Sequence, residues 1–141
     1  VRNTLFAVAF IVALPIARLH SAQASERFDS GPFKGFRKSS IEHIIVTLDE
    51  PFNVRFVQGN TLFSVTTEPC SEVLFEIRDA AGNVRGVVSD ARGRFKFSGI
   101  APGSYDFKAT KDGFQSVTGK IIVSKHANRK SNIQIKMQVG V

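Results

Sequence analysis

At 141 residues the chain has room for one domain, and its 19 lysines and arginines exceed its 12 aspartates and glutamates to leave a net charge of +7. Cys70 is the only cysteine, so an intrachain disulfide is excluded and the fold must hold by burial of its core.

Near the start, Arg2 precedes an apolar run of 13 residues, Leu5–Ala17. That run is too short for a relaxed membrane span of about 20 residues, but it suits the core of a secretory signal peptide. Ala22-Gln23-Ala24 supplies a small-residue cleavage site. Residues 1–24 are therefore read as a helical signal peptide cut after Ala24, with an uncleaved anchor or a buried helix as the competing readings. Cleavage implies a secreted or periplasmic protein with no membrane span, and loss of Arg2 and Arg18 lowers the charge from +7 to +5. No cysteine follows the cleavage site directly, which argues against a lipid anchor. Cys70 reads as a small core or strand-edge residue rather than a reactive thiol or an intermolecular bridge.

Residues 25–40, SERFDSGPFKGFRKSS, lack a sustained period and carry Gly31, Pro32 and Gly35, the pattern of a flexible leader. Arg27, Lys34, Arg37 and Lys38 interleave there with Phe28, Phe33 and Phe36. Such interleaving suits an anionic membrane or nucleic acid. The plainer reading is a solvated tail whose phenylalanines pack back on the domain, and export makes nucleic acid a poor partner.

Residues 41–141 carry the pattern of strands. Ile41–Leu48 alternates at first and then turns apolar on both faces, as a strand entering a core does, until Asp49-Glu50-Pro51 stops it. Asn53–Gln58 and Leu62–Thr66 read as strands joined by a turn at Gly59-Asn60. Further on, Val73, Phe75 and Ile77 alternate with Glu76 and Arg78. Phe95 and Phe97 alternate with Arg94 and Lys96, and Tyr105, Phe107 and Ala109 with Asp106 and Lys108. A period of two with one polar face marks half-buried antiparallel strands, so the chain is all-β. Val117–Val123 and Ile133–Val139 repeat the pattern on either side of a polar, basic loop, Lys125–Asn132. On the polar faces, Arg94, Lys96, Lys108 and Lys120 bias the domain toward anionic partners, although strand-face charges commonly serve solvation alone.

Asp79-Ala80-Ala81-Gly82 and Asp90-Ala91-Arg92-Gly93 each place Asp first and Gly fourth, as bulged hairpin turns require. A calcium loop would need several oxygen ligands in one short run. Ala101-Pro102-Gly103-Ser104 suits a type II turn.

Groups for catalysis do not converge in this sequence. His43 and His126 stand at no metal-ligand spacing with Cys70 or with each other. No serine occupies a Gly-x-Ser-x-Gly elbow, Cys70 has no evident partner base, and no glycine-rich phosphate loop occurs. No catalytic, cofactor-binding or metal residue is assigned, no cofactor is expected, and the reading is of a protein that is not an enzyme.

The run Ser89-Asp90, Gly93, Phe95, Phe97, then Ile100, Pro102-Gly103, Tyr105, then Gly113-Phe114, resembles the signature of the carboxypeptidase regulatory-like domain, over about residues 70–139. The resemblance implies a prealbumin-like (transthyretin-like) fold, a seven-stranded antiparallel Greek-key β-sandwich. It does not specify function, since such folds host unrelated tasks. Three relatives of that fold fail on particular residues. Hydroxyisourate hydrolases end in Tyr-Arg-Gly-Ser, whereas this sequence closes Met137-Gln138-Val139-Gly140-Val141. Adhesin repeats that crosslink Lys to Asn need a carboxylate where Ala109 stands. Intradiol dioxygenases need two tyrosines and two histidines, and Tyr105 is the single tyrosine. The expected partner is an envelope or extracellular protein or carbohydrate, met by loops at one sandwich end or by an exposed sheet face. The alternative is a structural subunit that pairs by an edge strand with a larger envelope protein; a small enzyme is the least supported class.

Overall fold

The computed structural model describes residues 26–42 and 44–140. The signal-peptide reading and His43 lie outside the described residues. Nine strands are described: β1 (Ile45–Thr47), β2 (Phe52–Val54), β3 (Gln58–Phe63), β4 (Leu74–Arg78), β5 (Val84–Val88), β6 (Arg94–Lys96), β7 (Gly103–Thr110), β8 (Ser116–Val123) and β9 (Ile133–Met137).

They form two sheets. The larger runs β1-β8-β7-β4-β5, with β2 pairing β8 beyond β1; the smaller runs β6-β3-β9. Inward residues of the two sheets share one core built on Phe75, Phe95, Phe97, Phe107, Ile121, Ile133 and Ile135. Phe75 stacks between Phe95 and Phe107, with ring centroids 4.2 and 5.2 Å away, the offset packing that aromatic quadrupoles favour. Gly119 lies opposite Phe107, and a Cβ there would come within 2.7 Å of its ring, so glycine opens the space the phenylalanine fills. Among the described residues, every buried apolar residue lies between Phe36 and Met137.

The all-β reading holds, and the two-layer arrangement is consistent with a sandwich. The expectation of seven antiparallel strands is corrected to nine strand segments in mixed sheets: β1 and β2 run parallel to β8, and β3 runs parallel to β9. Gly59-Asn60 is not a turn. Both residues lie inside β3, and a Cβ on Gly59 would sit 1.8 Å from the Ile133 carbonyl oxygen, so this glycine permits the close approach of β9. The Asp79 turn closes the β4–β5 hairpin as expected, with Gly82 at φ +88° and the Asp79 carboxylate accepting from Asn83 N at 2.9 Å. The Asp90 turn has the same local form, with Gly93 at φ +72°, yet it carries the chain from β5 in one sheet to β6 in the other. Pro102 makes a bend and Gly103 already belongs to β7, opposite Val123.

Residues 26–40 differ most from expectation. They form a strap, bridged at Arg27 and Arg37, that lies on the outer face of the larger sheet. Phe36 is buried beneath the guanidinium of Arg78, 4.7 Å from its ring centre. Arg78 also donates to the carbonyls of Lys34 and Pro32 at 2.8 and 2.9 Å. The leader is docked rather than flexible: Phe36 packs back on the domain as the plainer reading expected, and the strap's carbonyls accept from Arg78.

Candidate binding surface

The two outer faces of the sandwich differ in how their polar groups are used. On the larger sheet, Glu76 and Lys108 face each other across β4 and β7, and both are buried. Glu76 accepts from Arg27 Nη1 at 2.5 Å and from the Arg37 backbone N–H at 2.8 Å. Lys108 donates to the Arg37 carbonyl at 2.6 Å, to Glu42 at 3.0 Å and to Thr110 at 3.0 Å. Burial pushes the Lys108 ammonium below its ordinary pKa, against the opposing pull of Glu42 and Glu76. Beside them Asp106 bridges Arg78 and Lys120 at 2.9 and 3.4 Å. The expectation that Lys108 is an exposed strand-face charge is therefore wrong; the strap covers it completely.

Among the described residues, none covers the outer face of the smaller sheet. Alternation along β3, β6 and β9 sends Gly59, Thr61, Phe95, Ile133, Ile135 and Met137 inward. The opposite face carries a grid set by register: Lys96 beside Gln58, Arg94 beside Asn60 beside Gln134, and Lys136 beside Leu62. Gln58, Asn60, Arg94 and Lys96 line an open hollow of about 640 Å³, with Arg92 and Asp90 on one side and Asn132 on the other. Asp90 does little to neutralise it. One carboxylate oxygen accepts the backbone N–H groups of Arg92 and Arg94, both at 2.9 Å, and these bonds hold its pKa below the usual carboxylate value. The other oxygen stands 3.6 Å from Arg94 Nε in an exposed pair that solvent screens. Among the described residues, no side-chain hydrogen bond engages Gln58, Asn60, Lys96 or Gln134. The hollow thus presents amides able to donate and accept, and cations without buried partners. Phe95, its one aromatic neighbour, points into the core, so no ring is offered for stacking.

The residues singled out as possible chemistry fall elsewhere. Cys70 is fully buried, its carbonyl accepting from Thr61 and Ser89, and burial pushes its thiol pKa up against a weaker pull from Lys111. His126 is exposed in the β8–β9 connection. The Tyr105 hydroxyl donates to the Ala101 carbonyl at 2.6 Å and fixes the bend at Pro102. Arg94 and Lys96 are exposed as the alternation implied; Asn60 and Gln58 were missed because the Gly59-Asn60 pair mimics a turn. A glycine inside a strand pattern, read as a point of close backbone approach, was the signal available.

A family model described as the carboxypeptidase regulatory-like domain matches residues 61–138. The chain belongs to the carboxypeptidase regulatory-like domain family. This family is a non-catalytic β-sandwich, and the match begins within β3, so the strap, β1 and β2 precede the matched range. A comparison with curated proteins found no match.

Proposed function

We propose that this carboxypeptidase regulatory-like domain is an exported, non-catalytic module that binds acidic carbohydrate at the cell envelope through the outer face of β6-β3-β9. The observation that carries this reading is the unsheathed grid of Gln58, Asn60, Arg94, Lys96 and Gln134, set against a larger-sheet face whose charges are consumed internally. Amides pair with vicinal hydroxyls through one donor and one acceptor each, and Arg94 offers a carboxylate a two-point bond. The lack of a stacking ring favours charged over neutral sugars.

Titration calorimetry with polygalacturonate and with neutral dextran tests it. Binding of the acidic polymer alone, weakened by salt and lowered at least about tenfold in Arg94→Ala/Asn60→Ala, is expected. Equal affinity for both polymers, or an unchanged affinity in the double variant, refutes it. A second reading, pairing with a larger envelope protein, is favoured by β5, an edge strand on which Val88 is 60% exposed. Capture of a partner from envelope extract that is lost in Val87→Pro, with the polymers inert, supports it.

A further inference from the structure

One corner of the sandwich is built from three connections: Arg55–Val57 between β2 and β3, Phe97–Pro102 between β6 and β7, and Ser124–Asn132 between β8 and β9. Backbone bonds hold them together, Phe97 N–H to the Val57 carbonyl at 2.9 Å and Ser124 N–H to the Val54 carbonyl at 3.0 Å. The corner has two properties that belong together. Its tip is apolar: Phe56 is 50% exposed, Ala101 and Pro102 are exposed, and Ile100 is half-buried beside them. Phe56, Ile100 and Pro102 border a hollow of about 260 Å³ with Arg55 and Lys125 on its rim.

Within the three connections the charge is of one sign. The three connections contain Arg55, Lys125, Arg129 and Lys130 and no aspartate or glutamate, and Lys96 ends the adjoining strand. Among the described residues, none of these five cationic side chains makes an ion pair or a side-chain hydrogen bond. At the same end of the fold, the β4–β5 turn carries Asp79, whose carboxylate is taken up by Asn83 N and Nδ2 at 2.9 and 3.2 Å.

We infer that this corner docks on the surface of an anionic lipid bilayer, with Phe56 and the Ile100–Pro102 bend entering the headgroup boundary. An apolar tip ringed by unpaired cations matches the two terms of interfacial binding, burial of apolar area and attraction to acidic headgroups. A polyanion in water would use the cations and gain nothing from the exposed ring. Contact is peripheral and leaves the sheet-face hollow open to a second ligand.

The test uses residues 25–141, which hold every buried apolar residue among those described, in co-sedimentation with vesicles. Phosphatidylcholine vesicles carrying about a third phosphatidylglycerol, in about 0.1 M salt, should retain the protein, and pure phosphatidylcholine vesicles should not. Lys125→Glu/Arg129→Glu/Lys130→Glu should weaken partitioning on the order of a hundredfold, from roughly fivefold for each cation. Phe56→Ala should weaken it about tenfold through lost apolar burial. Unchanged circular dichroism and melting confirm that these surface variants fold, and Arg94→Ala, on the sheet face, should leave vesicle binding within about twofold, since Arg94 is not among the cations of the corner. No retention on phosphatidylglycerol vesicles overturns the inference. So does wild-type partitioning by Phe56→Ala, which would mark the corner as a site for soluble polyanions, and so does loss of vesicle binding in Arg94→Ala alone.

Discussion

Removing the Glu76 carboxylate should release the strap and cost a large part of the domain's stability. Three consequences of Glu76→Ala can be weighed. The Arg37 N–H, 2.8 Å from the carboxylate, is left without its acceptor, at about 1–3 kcal/mol. The pair with Arg27 is lost as well; its arginine side chain is 49% exposed, so screening holds that contribution to about 0–1 kcal/mol. Lys108, buried directly across the ladder, loses a neighbouring negative charge and keeps only Glu42, while the shortened side chain leaves a void costing about 1 kcal/mol. Together these give about 4 kcal/mol, within the range for breaking a buried ion pair. Glu76→Gln keeps the volume and an acceptor for Arg37, so about half that loss is expected.

Urea unfolding read by linear extrapolation gives the stabilities. Limited trypsinolysis under native conditions reads the strap, since Arg27, Lys34, Arg37 and Lys38 all lie in it. Cleavage there should precede any cut in the strands for Glu76→Ala and not for the parent. A loss below about 1 kcal/mol, with the strap still resistant, would refute the claim that this network fastens it.

Three further outcomes follow from single features of the structure. Gly59→Ala drives a methyl into the Ile133 carbonyl and should separate β9 from β3, at about 3 kcal/mol or more from overpacking and weakened ladder bonds, seen as a lower urea midpoint and faster amide exchange in β9. Because folded Lys108 loses its proton below the ordinary value of 10.5 while the unfolded chain keeps it, the unfolded state binds more protons in between, and stability should rise with pH across that window; Lys108→Met should abolish this rise relative to the parent. Asp79 and Asp90 are held below their ordinary value chiefly by backbone N–H groups of Asn83 and Arg94, so their contribution is present above about pH 4 and lost as pH falls through the folded values. The acid limb of a stability–pH curve should therefore flatten in Asp79→Asn/Asp90→Asn.

Strands whose inward residues are large and apolar were legible from sequence: β4, β6, β7, β8 and β9 fall where alternation put them. That pattern reports only the face in contact with the core. It says nothing of what lies on the other face, and so Glu76 and Lys108, polar at alternate positions, read as solvated although both are buried under the strap. The hint lay in residues 25–40, where phenylalanines alternate with cations; a segment that carries both apolar and charged partners can cover a polar sheet face. β3 was misplaced for a different reason. Its pairing with β9 needs a glycine at the point of closest approach, and Gly-Asn has the same letters in a strand as in a turn. The polar grid of the smaller sheet depended on that register, so it could not be drawn until β3 was in place.

The strap decides which face of this module is free for a ligand. Left bare, the larger sheet would expose Arg78, Lys108 and Lys120 along with Glu76 and Asp106, a mixed field with no net preference. Docked, residues 26–42 close this face by supplying Glu42 to Lys108, Arg27 to Glu76 and carbonyls to Arg78. Cations that meet no buried carboxylate, Arg94, Lys96, Arg55 and Lys125 among them, lie on the smaller sheet and the corner beside it. The folding of the strap thus leaves a cationic side at the smaller sheet and its corner. The anionic ligand proposed above would meet that side, since the strap already engages the charges of the other face.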